Sequence, residues 1–283
     1  MRPMGLHGRA GRLRVGTLLA LEARAHRWPR RTMREVLGGW LVHDPDDHEP
    51  VFNRLVDPVL PNADTDIDDW LSAVREVFDR IARRPHLWLT APFDDSRIAG
   101  IERAGFGQVG ASRYMYLDDR SALELAASAV PASVGAANGV AVERVDMTTP
   151  DRLRAARDVA AVIADAFELD PAFHVLIEAD VVEMLEVPAI SFVLVRVEGE
   201  AVAVARRTTD GRASLLAAIG TRRGYRTRGF GRLVTSTATQ DALAAGSETI
   251  FLGVEDGNDA ARHLYERLGY AFADGGVTAL LQR

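Results

Sequence analysis

The chain has 283 residues, 47% of them apolar, and a formal charge of −6 from 34 basic and 40 acidic side chains, the balance of an ordinary globular protein. Lysine and cysteine are both absent, which excludes disulfide staples, thiolate catalysis, cysteine-ligated zinc or iron–sulfur sites and a lysine-ended Walker loop. No run approaches the roughly 18 consecutive apolar residues that a membrane span needs, and the mildly acidic balance disfavours nucleic acid as a partner.

In chain order, the first 40 residues are rich in arginine but contain no serine, the first being Ser72, which is not the composition of a transit peptide. We read a solvated first helix there and expect a cytoplasmic protein. Residues 86–89 (HLWL) read as a strand, and 94–106 (DDSRIAGIERAGF) as a helix and turn. Residues 121–138 are rich in Ala and Ser, poor in charge, and broken by Pro131, with Asn138-Gly139 at the end. They are expected to link a first domain, residues 1–120, to a second, residues 139–283.

The second half opens with a strand at 139–145. A helix then starts at Pro150, with Thr149 as the potential cap and Leu153, Ala156, Ala160, Ile163 and Phe167 as the expected buried face. A second helix follows Pro171. Three apolar runs come next, at 190–197, 201–208 and 213–219, separated by hairpin signals at Glu198-Gly199-Glu200 and Asp210-Gly211. After a glycine–arginine loop, a helix carries Phe230, Leu233, Val234, Ala238 and Ala242 on one face and stops at Gly246. A strand at 250–254, a helix at 258–268 and closing strands at 270–281 complete the order. This predicts an α/β chain with a mixed sheet covered by helices, not a doubly wound parallel fold. The stretch 258–270 (NDAARHLYERLGY) also resembles 94–106, sharing Asp95/Asp259, Glu102/Glu266, Arg103/Arg267 and Gly105/Gly269. That points to an internal repeat.

Residues 219–233, IGTRRGYRTRGFGRL, carry the strongest chemical signal. A buried strand runs into a loop that opens a helix. Gly229 and Gly231 let a ligand approach the backbone, where first-turn N–H groups and the helix dipole favour phosphate. Arg222, Arg223, Arg226, Arg228 and Arg232 add positive charge. The dinucleotide pattern GxGxxG is not met, because Leu233 and Val234 follow Gly229-x-Gly231.

Arg226-Thr227-Arg228-Gly229-Phe230-Gly231 resembles the R/Q-x-x-G-x-G/A signature of the GCN5-related N-acetyltransferase family, and Asn258, Ala261, Tyr265, Gly269 and Tyr270 match its second motif. Arg223 and Thr227 depart from the family's usual proline and glycine. The resemblance covers about residues 140–283. It implies a mostly antiparallel, twisted sheet flanked by helices. Acetyl-CoA is the implied acyl donor, its pyrophosphate held by Arg226, Thr227, Arg228, Gly229, Phe230, Gly231 and Arg232. Its pantetheine arm would run beside Ile219, Gly220 and Thr221, with Asn258 and Ala261 contributing from the next helix.

By the same resemblance, a backbone N–H between Ala217 and Ile219 would serve the thioester oxygen, and Tyr265 would protonate the departing thiolate. Read from the residues alone, Tyr265 packs beside Leu264 and Leu268 on an amphipathic helix. The general base stays open. Glu255 could act through a water or be a solvated loop carboxylate, while His263 and His174 are weaker candidates. The seven histidines show no metal-ligand spacing, so no metal is expected.

Residues 40–99 contain no glycine, and where a first-half phosphate loop would lie the chain reads NRLVDPVLPNADTDIDDWL. Acids repel phosphate and prolines remove amide donors. Ile101 stands at the position of Tyr265. Residues 51–54 and the series Trp70, Val74, Val77, Phe78, Ile81 are read as strand and helix of a degenerate, non-catalytic acetyltransferase-like half. An unrelated α/β domain is the other reading. The expected activity is acetylation of a small-molecule primary amine by a monomer or weak homodimer. A narrower version is acetylation of a thiol-precursor amine by an enzyme resembling mycothiol synthase. The alternative is an acyl-CoA sensor or interaction module without turnover.

Overall fold

A computed structural model describes residues 13–61, 66–90, 95–122 and 139–283. Most of the expected linker, 123–138, lies outside the described residues, as does the arginine-rich start, 1–12. The elements are α1 (Val15–Ala25), β1 (Thr32–Val36), β2 (Gly39–His43), β3 (Arg54–Val56), α2 (Ile67–Asp79), β4 (His86–Thr90), α3 (Asp95–Arg103) and β5 (Phe106–Leu117). Then come β6 (Val140–Val145), α4 (Arg152–Ala166), α5 (His174–Met184), β7 (Ile190–Val197), β8 (Glu200–Asp210) and β9 (Ala213–Thr221). The order closes with α6 (Phe230–Ala244), β10 (Thr249–Glu255), α7 (Asp259–Arg267), β11 (Tyr270–Phe272) and β12 (Val277–Gln282).

Two compact units result. The first gathers Met1–Tyr114, Val254–Asp259 and Phe272–Arg283; the second gathers Met115–Gly253 and Ala260–Ala271. In the first unit the strands run β1-β2-β3-β4-β12-β5. Leu37 (φ 51°) and Gly38 (φ 75°) both take positive φ, the signature of the tight turn that matches strand twist, and so close the β1–β2 hairpin. β3 and β4 pair in parallel, Leu55 to Leu87 and Val56 to Trp88. Parallel neighbours require a crossover, and α2 supplies it. Its apolar face (Ile67, Leu71, Val74, Val77 and Phe78) packs with Leu41, Leu55, Leu87, Leu89, Ile101, Phe106 and Leu280 into one core.

β12 is inserted between β4 and β5, antiparallel to both, Val277 standing opposite Thr90 on one side and Ser112 on the other. An alternating strand states which of its faces is buried, not which strands flank it. The partners of residues 277–282 are thus visible only in three dimensions.

Two first-half expectations are corrected. The first helix is not a solvated one: Leu18 and Leu19 are fully buried, and so is the carboxylate of Glu22. That carboxylate receives both hydrogen bonds of one Arg54 nitrogen, at 3.0 and 2.9 Å, and the guanidinium lies 4.3 Å over the Trp88 ring. The strand expected from Val51 starts only at Arg54. Pro50–Phe52 form a 3-10 turn instead, and the Asn53 amide donates to the carbonyls of Asp47 and Glu49, at 2.7 and 3.0 Å, curling the chain locally.

In the second unit β6, β7, β8 and β9 are successive antiparallel neighbours, and β10 pairs in parallel with β9 after the α6 crossover. Glu198 (φ 50°) and Gly199 (φ 88°) close the β7–β8 hairpin at the expected place. The buried face of α4 is Ala155, Ala156, Val159, Ala160 and Val162. Leu153 and Phe167, assigned to that face from spacing, are exposed. The small residues allow close approach to the sheet, and that rotates the helix away from the face its bulky residues mark. Its cap is Asp151, which accepts from the Arg154 amide at 3.1 Å; Thr149 instead accepts from the Asp146 amide at 3.0 Å.

The internal repeat has a structural counterpart. β3–α2–β4–α3–β5 and β9–α6–β10–α7–β11 share one element order, each around a parallel pair. Gly105 and Gly269 follow α3 and α7 at φ 94° and 85°, the left-handed stop that favours glycine.

Burial would raise the Glu22 pKa, but the charge of Arg54, helped by His26, brings it down to about 2 from 4.5. A folded-state pKa below the unfolded one contributes stability above the unfolded value and loses it as pH falls through the folded one. The window here is about pH 4.5 to 2. Glu22→Gln should therefore cost on the order of 3 kcal/mol at pH 7, because Arg54 is left buried without its counter-charge, and should flatten the acid limb in that window. Denaturant unfolding of both proteins at pH 7 and 3 checks both effects.

Candidate active site

The local geometry begins with a defect in β9. Its parallel ladder to β10 runs from Ala213/Thr249 to Leu216/Leu252. The antiparallel ladder to β8 continues to Thr221/Ala203, with a register shift opposite Val204–Arg206. Ala218 sits in this shift at φ 48°. The extra residue of such a bulge bends the strand and re-aims its groups, so Ala217–Thr221 extend beyond the β10 ladder. Gly220 is demanded by packing: a Cβ there would lie 2.7 Å from Cβ of Ala166 and 3.3 Å from Cε2 of Phe167. The end of α4 therefore sits directly on the end of β9.

After a 3-10 turn at Arg223–Tyr225, Thr227 (φ 63°) and Gly229 (φ 91°) turn the chain into α6. Gly229 accepts the Leu233 amide at 3.0 Å as the first helical bond. The amides of the first turn have no partner within the helix. No side chain caps this start, and its first turn holds no acid, so the positive end of the dipole is uncompensated. At Gly231 an added Cβ would make only ordinary contacts, 3.4 Å to Oγ1 of Thr221 and 3.5 Å to Cδ1 of Leu264. Packing does not require glycine there; its bareness leaves the amides open to an approaching anion. These residues fit a diphosphate.

The arginines are distributed differently from the expected basic patch. Arg222 pairs with Glu200 at 2.8 Å, and the Tyr225 hydroxyl donates to the same carboxylate at 2.7 Å. Arg223 gives Asp165 its amide at 2.7 Å and its guanidinium at 3.3 Å. The amide bond first, then the guanidinium, holds the Asp165 carboxyl below its usual range. Arg226 donates to the Ala166 carbonyl at 2.7 Å and pairs with Glu168 at 3.4 Å. Arg232 is half-buried in the first turn of α6. Arg228 lies over the rings of Tyr225 and Phe230, at 5.0 and 5.4 Å, and has no carboxylate partner among the described residues. Asp165, Glu168, Glu200 and Tyr225 were missed in the sequence, where nothing in their local spacing ties them to the loop.

The α7 helix lies against the start of α6 through Leu264. The neighbouring Tyr265 is buried, and burial pushes its phenol up to about 12. Its hydroxyl has no hydrogen-bond partner among the described residues, and its ring stands 6.2 Å from that of Tyr270. Tyr270 is held in place by a 2.7 Å hydroxyl contact with Thr239. Thr239 donates to the Thr235 carbonyl at 2.7 Å, and Thr235 to the Gly231 carbonyl at 2.7 Å. A chain of side-chain and backbone groups thus runs from the second motif's Tyr270 to the helix start. Ala261 lies one turn before Tyr265 on the same face.

Glu255 and Asn258 fall in Val254–Asp259, which clusters with the first unit. There the Asn258 amide donates to the Glu255 carbonyl at 3.1 Å, and the Glu255 side chain is exposed. His263 contacts Arg262 at 3.2 Å on an exposed face. His174 begins α5, and its Nε2 is buried with no partner among the described residues. No group of three or more His, Cys, Asp or Glu among the described residues is placed to hold a metal ion. No helix among them is long and apolar enough to cross a membrane.

Residues 157–270 match the model of the Acetyltransferase (GNAT) family. The match spans 114 of the 283 residues, all in the second half of the chain. No curated protein matches the chain. Among solved structures it is similar to a GCN5-related N-acetyltransferase from Kribbella flavida, at 23% identity and TM-score 0.65 over 94% of this chain and 95% of that one. It is also similar to a functionally unknown conserved protein from Staphylococcus epidermidis ATCC 12228, at 15% identity and TM-score 0.66 over 89% and 94% of the two chains. A tandem GNAT protein from the clavulanic acid biosynthesis pathway matches at 18% identity and TM-score 0.58, over 94% and 92%. These likenesses extend the fold over both halves of the chain.

The two loop glycines should separate in stability. Gly229→Ala forces an alanine into a left-handed conformation and should cost about 1 kcal/mol. Gly231→Ala adds a Cβ that fits and should leave stability unchanged or raise it by up to about 1 kcal/mol. Thermal unfolding of the two variants measures the contrast.

Proposed function

We propose that the GNAT domain makes this chain an acetyl-CoA-dependent N-acetyltransferase that moves the acetyl group to a primary amine of a small molecule by direct transfer in a ternary complex. The observation that carries the reading is the start of α6, uncapped and free of acids, with Gly229 turning the chain and Gly231 bare in front of the amides. The pyrophosphate would lie on the amides of Gly229–Arg232 with Arg228 beside it, and Arg226 and Thr227 shaping the loop. The pantetheine arm would follow Ile219, Gly220 and Thr221 where β9 has outrun its parallel partner.

In the transfer, the amine nitrogen bonds to the carbonyl carbon, the carbon–sulfur bond breaks, and one proton leaves the nitrogen while the thiolate gains one. Negative charge on the carbonyl oxygen in the transition state is met by a backbone N–H of the bulged segment Ala217–Ile219. Tyr265 protonates the leaving thiolate: it is an uncharged donor at neutral pH, and burial keeps it so. Glu255, acting through a water, is the proposed acceptor of the amine proton.

The proposed division of labour puts catalysis in residues 139–283 and leaves residues 1–120 silent. Three observations support this. Acids, Asp68 and Asp69, occupy the first turn of α2, the counterpart of α6. The Asp57 amide, just past β3, donates to the Trp88 carbonyl at 2.8 Å. Ile101, at the place of Tyr265, is fully buried in the core.

Calorimetric titration with acetyl-CoA tests the reading, and a folded protein that takes up none overturns it. Gly231→Ala should weaken that binding about tenfold while keeping its stability. Tyr265→Phe should lower kcat by about 10²-fold with acetyl-CoA affinity nearly unchanged. Because burial raises the phenol to about 12, it stays protonated as pH rises, so this group should give the kcat profile no alkaline fall below about pH 11. Binding without release of free CoA in the presence of any amine would mark a sensor instead.

A further inference from the structure

The first unit has a cavity of about 240 Å³, lined by His48, Pro50, Asn53, Ala82, Arg83 and Arg84. It lies between the chain that follows β2 and the turn that joins α2 to β4. The 13 residues of α2 span roughly 20 Å, so the cavity is at the far end of that helix from its acid-bearing start. Its walls are fixed. Asn53 accepts the Asp44 amide at 3.1 Å and gives its own side-chain amide to the carbonyls of Asp47 and Glu49. The Pro50 carbonyl lies 2.7 Å from Nδ1 of the buried His86. Ala82 closes α2 in a left-handed turn, φ 52°, its amide on the Asp79 carbonyl and the Arg83 amide on that of Phe78.

Two guanidinium groups meet here without an acid. Arg83 directs its hydrogen bonds to neutral backbone: one terminal nitrogen donates to the carbonyls of Ile81 and Ala82, at 3.4 and 3.2 Å, and the other to those of Asp44 and Pro45, at 3.1 and 2.8 Å. Its Nε is buried with no partner among the described residues. Arg84 donates Nε to the Gln282 carbonyl at 3.2 Å, and a terminal nitrogen to the same oxygen. Neither arginine has a carboxylate partner among the described residues. The buried carboxylate of Asp44 is already held by Arg30 and Arg31 and by the amides of Asp46 and Asp47. Asp46 and Glu49 are exposed and do not line the cavity. Carbonyls orient a guanidinium but leave its full charge unanswered, and a partly desolvated charge calls for a counter-ion. The fork of an arginine matches an oxyanion.

We propose that this cavity binds a small organic oxyanion, a carboxylate or a phosphate monoester on a short carbon body. Arg84 and the His48 ring meet the oxygens, Arg83 supplies fixed positive charge, and Pro50 and Ala82 cover the carbons. At about 30 Å³ per water the cavity has room for roughly eight waters. The ligand therefore has on the order of ten non-hydrogen atoms, which excludes a nucleotide. The proposal stands apart from the acetyl-transfer reading, since none of these residues lies in the matched stretch 157–270. It gives the half without a phosphate loop a ligand of its own.

The test is calorimetric titration at physiological ionic strength with glycerol 3-phosphate, inorganic phosphate and succinate, and with glycerol as the uncharged control. His48 and Arg84 are exposed, so His48→Glu and Arg84→Gln should both fold with unfolding midpoints unchanged, and each is a test by itself. At least one anion should bind the wild type, glycerol should not, and each variant should weaken the anion tenfold or more. An anion held at the start of α6 would bind wild type and variants alike, so the difference between the proteins reports this cavity. Binding of the phosphates alone makes the ligand a phosphate monoester, and binding of succinate alone makes it a carboxylate; either result upholds the proposal. No binding of any of the three anions by the wild type, or affinities within threefold of wild type in the folded variants, overturns it.

Discussion

The first amides of a helix have no partners inside it, and a folded chain has to satisfy them with a cap, with water or with a ligand. At Phe230 the chain supplies no side-chain cap. It turns in through a left-handed glycine and keeps acids out of the first turn, while the next glycine carries no side chain in front of the donors. The surrounding features serve this opening. The bulge at Ala218 carries β9 past its parallel partner, Gly220 lets α4 close on the strand, and Leu264 sets α7 beside Gly231.

The first unit shows the same element order with the opposite electrostatics. α2 also follows a strand and crosses to a parallel partner, yet Asp68 and Asp69 stand in its first turn. Carboxylates there stabilise the helix by opposing its dipole, and the same charge turns a phosphate away. The unit keeps its polar investment elsewhere, in the buried Glu22–Arg54 pair beneath α1. Removing either partner would strand a buried charge, and this pins a helix whose own sequence reads as surface.

Charge around the candidate site is also more structural than its composition implies. Of five arginines between Arg222 and Arg232, three are matched to Glu200, Asp165 and Glu168. Those pairs are partly exposed and individually weak. The Asp165 and Glu168 pairs, together with the Arg223 amide and the Ala166 carbonyl, set the position of the α4 end more than they raise the local potential. Arg228 rests on two aromatic faces and has no carboxylate opposite it among the described residues.

Sequence alone settled the features that depend on local chemistry. Glycine-stopped helices, the hairpins at Glu198-Gly199 and Asp210-Gly211, and the existence and order of strands β7 to β10, each to within two residues at either end, follow from periodicity and from residues with unusual backbone freedom. Tertiary structure decided whatever depends on a distant partner. Spacing pointed to Leu153 and Phe167 as core, but alanine and valine lie closer to the sheet. The arginine-rich start reads as a solvated helix, yet α1 buries Leu18 and Leu19, and Arg54, 32 residues from Glu22, makes the burial of that carboxylate possible. Nothing in residues 277–282 names β4 and β5 as their neighbours. Local sequence states a residue's conformational preference and polarity, whereas burial, pairing and the fate of a charge are set by groups that only folding brings within reach.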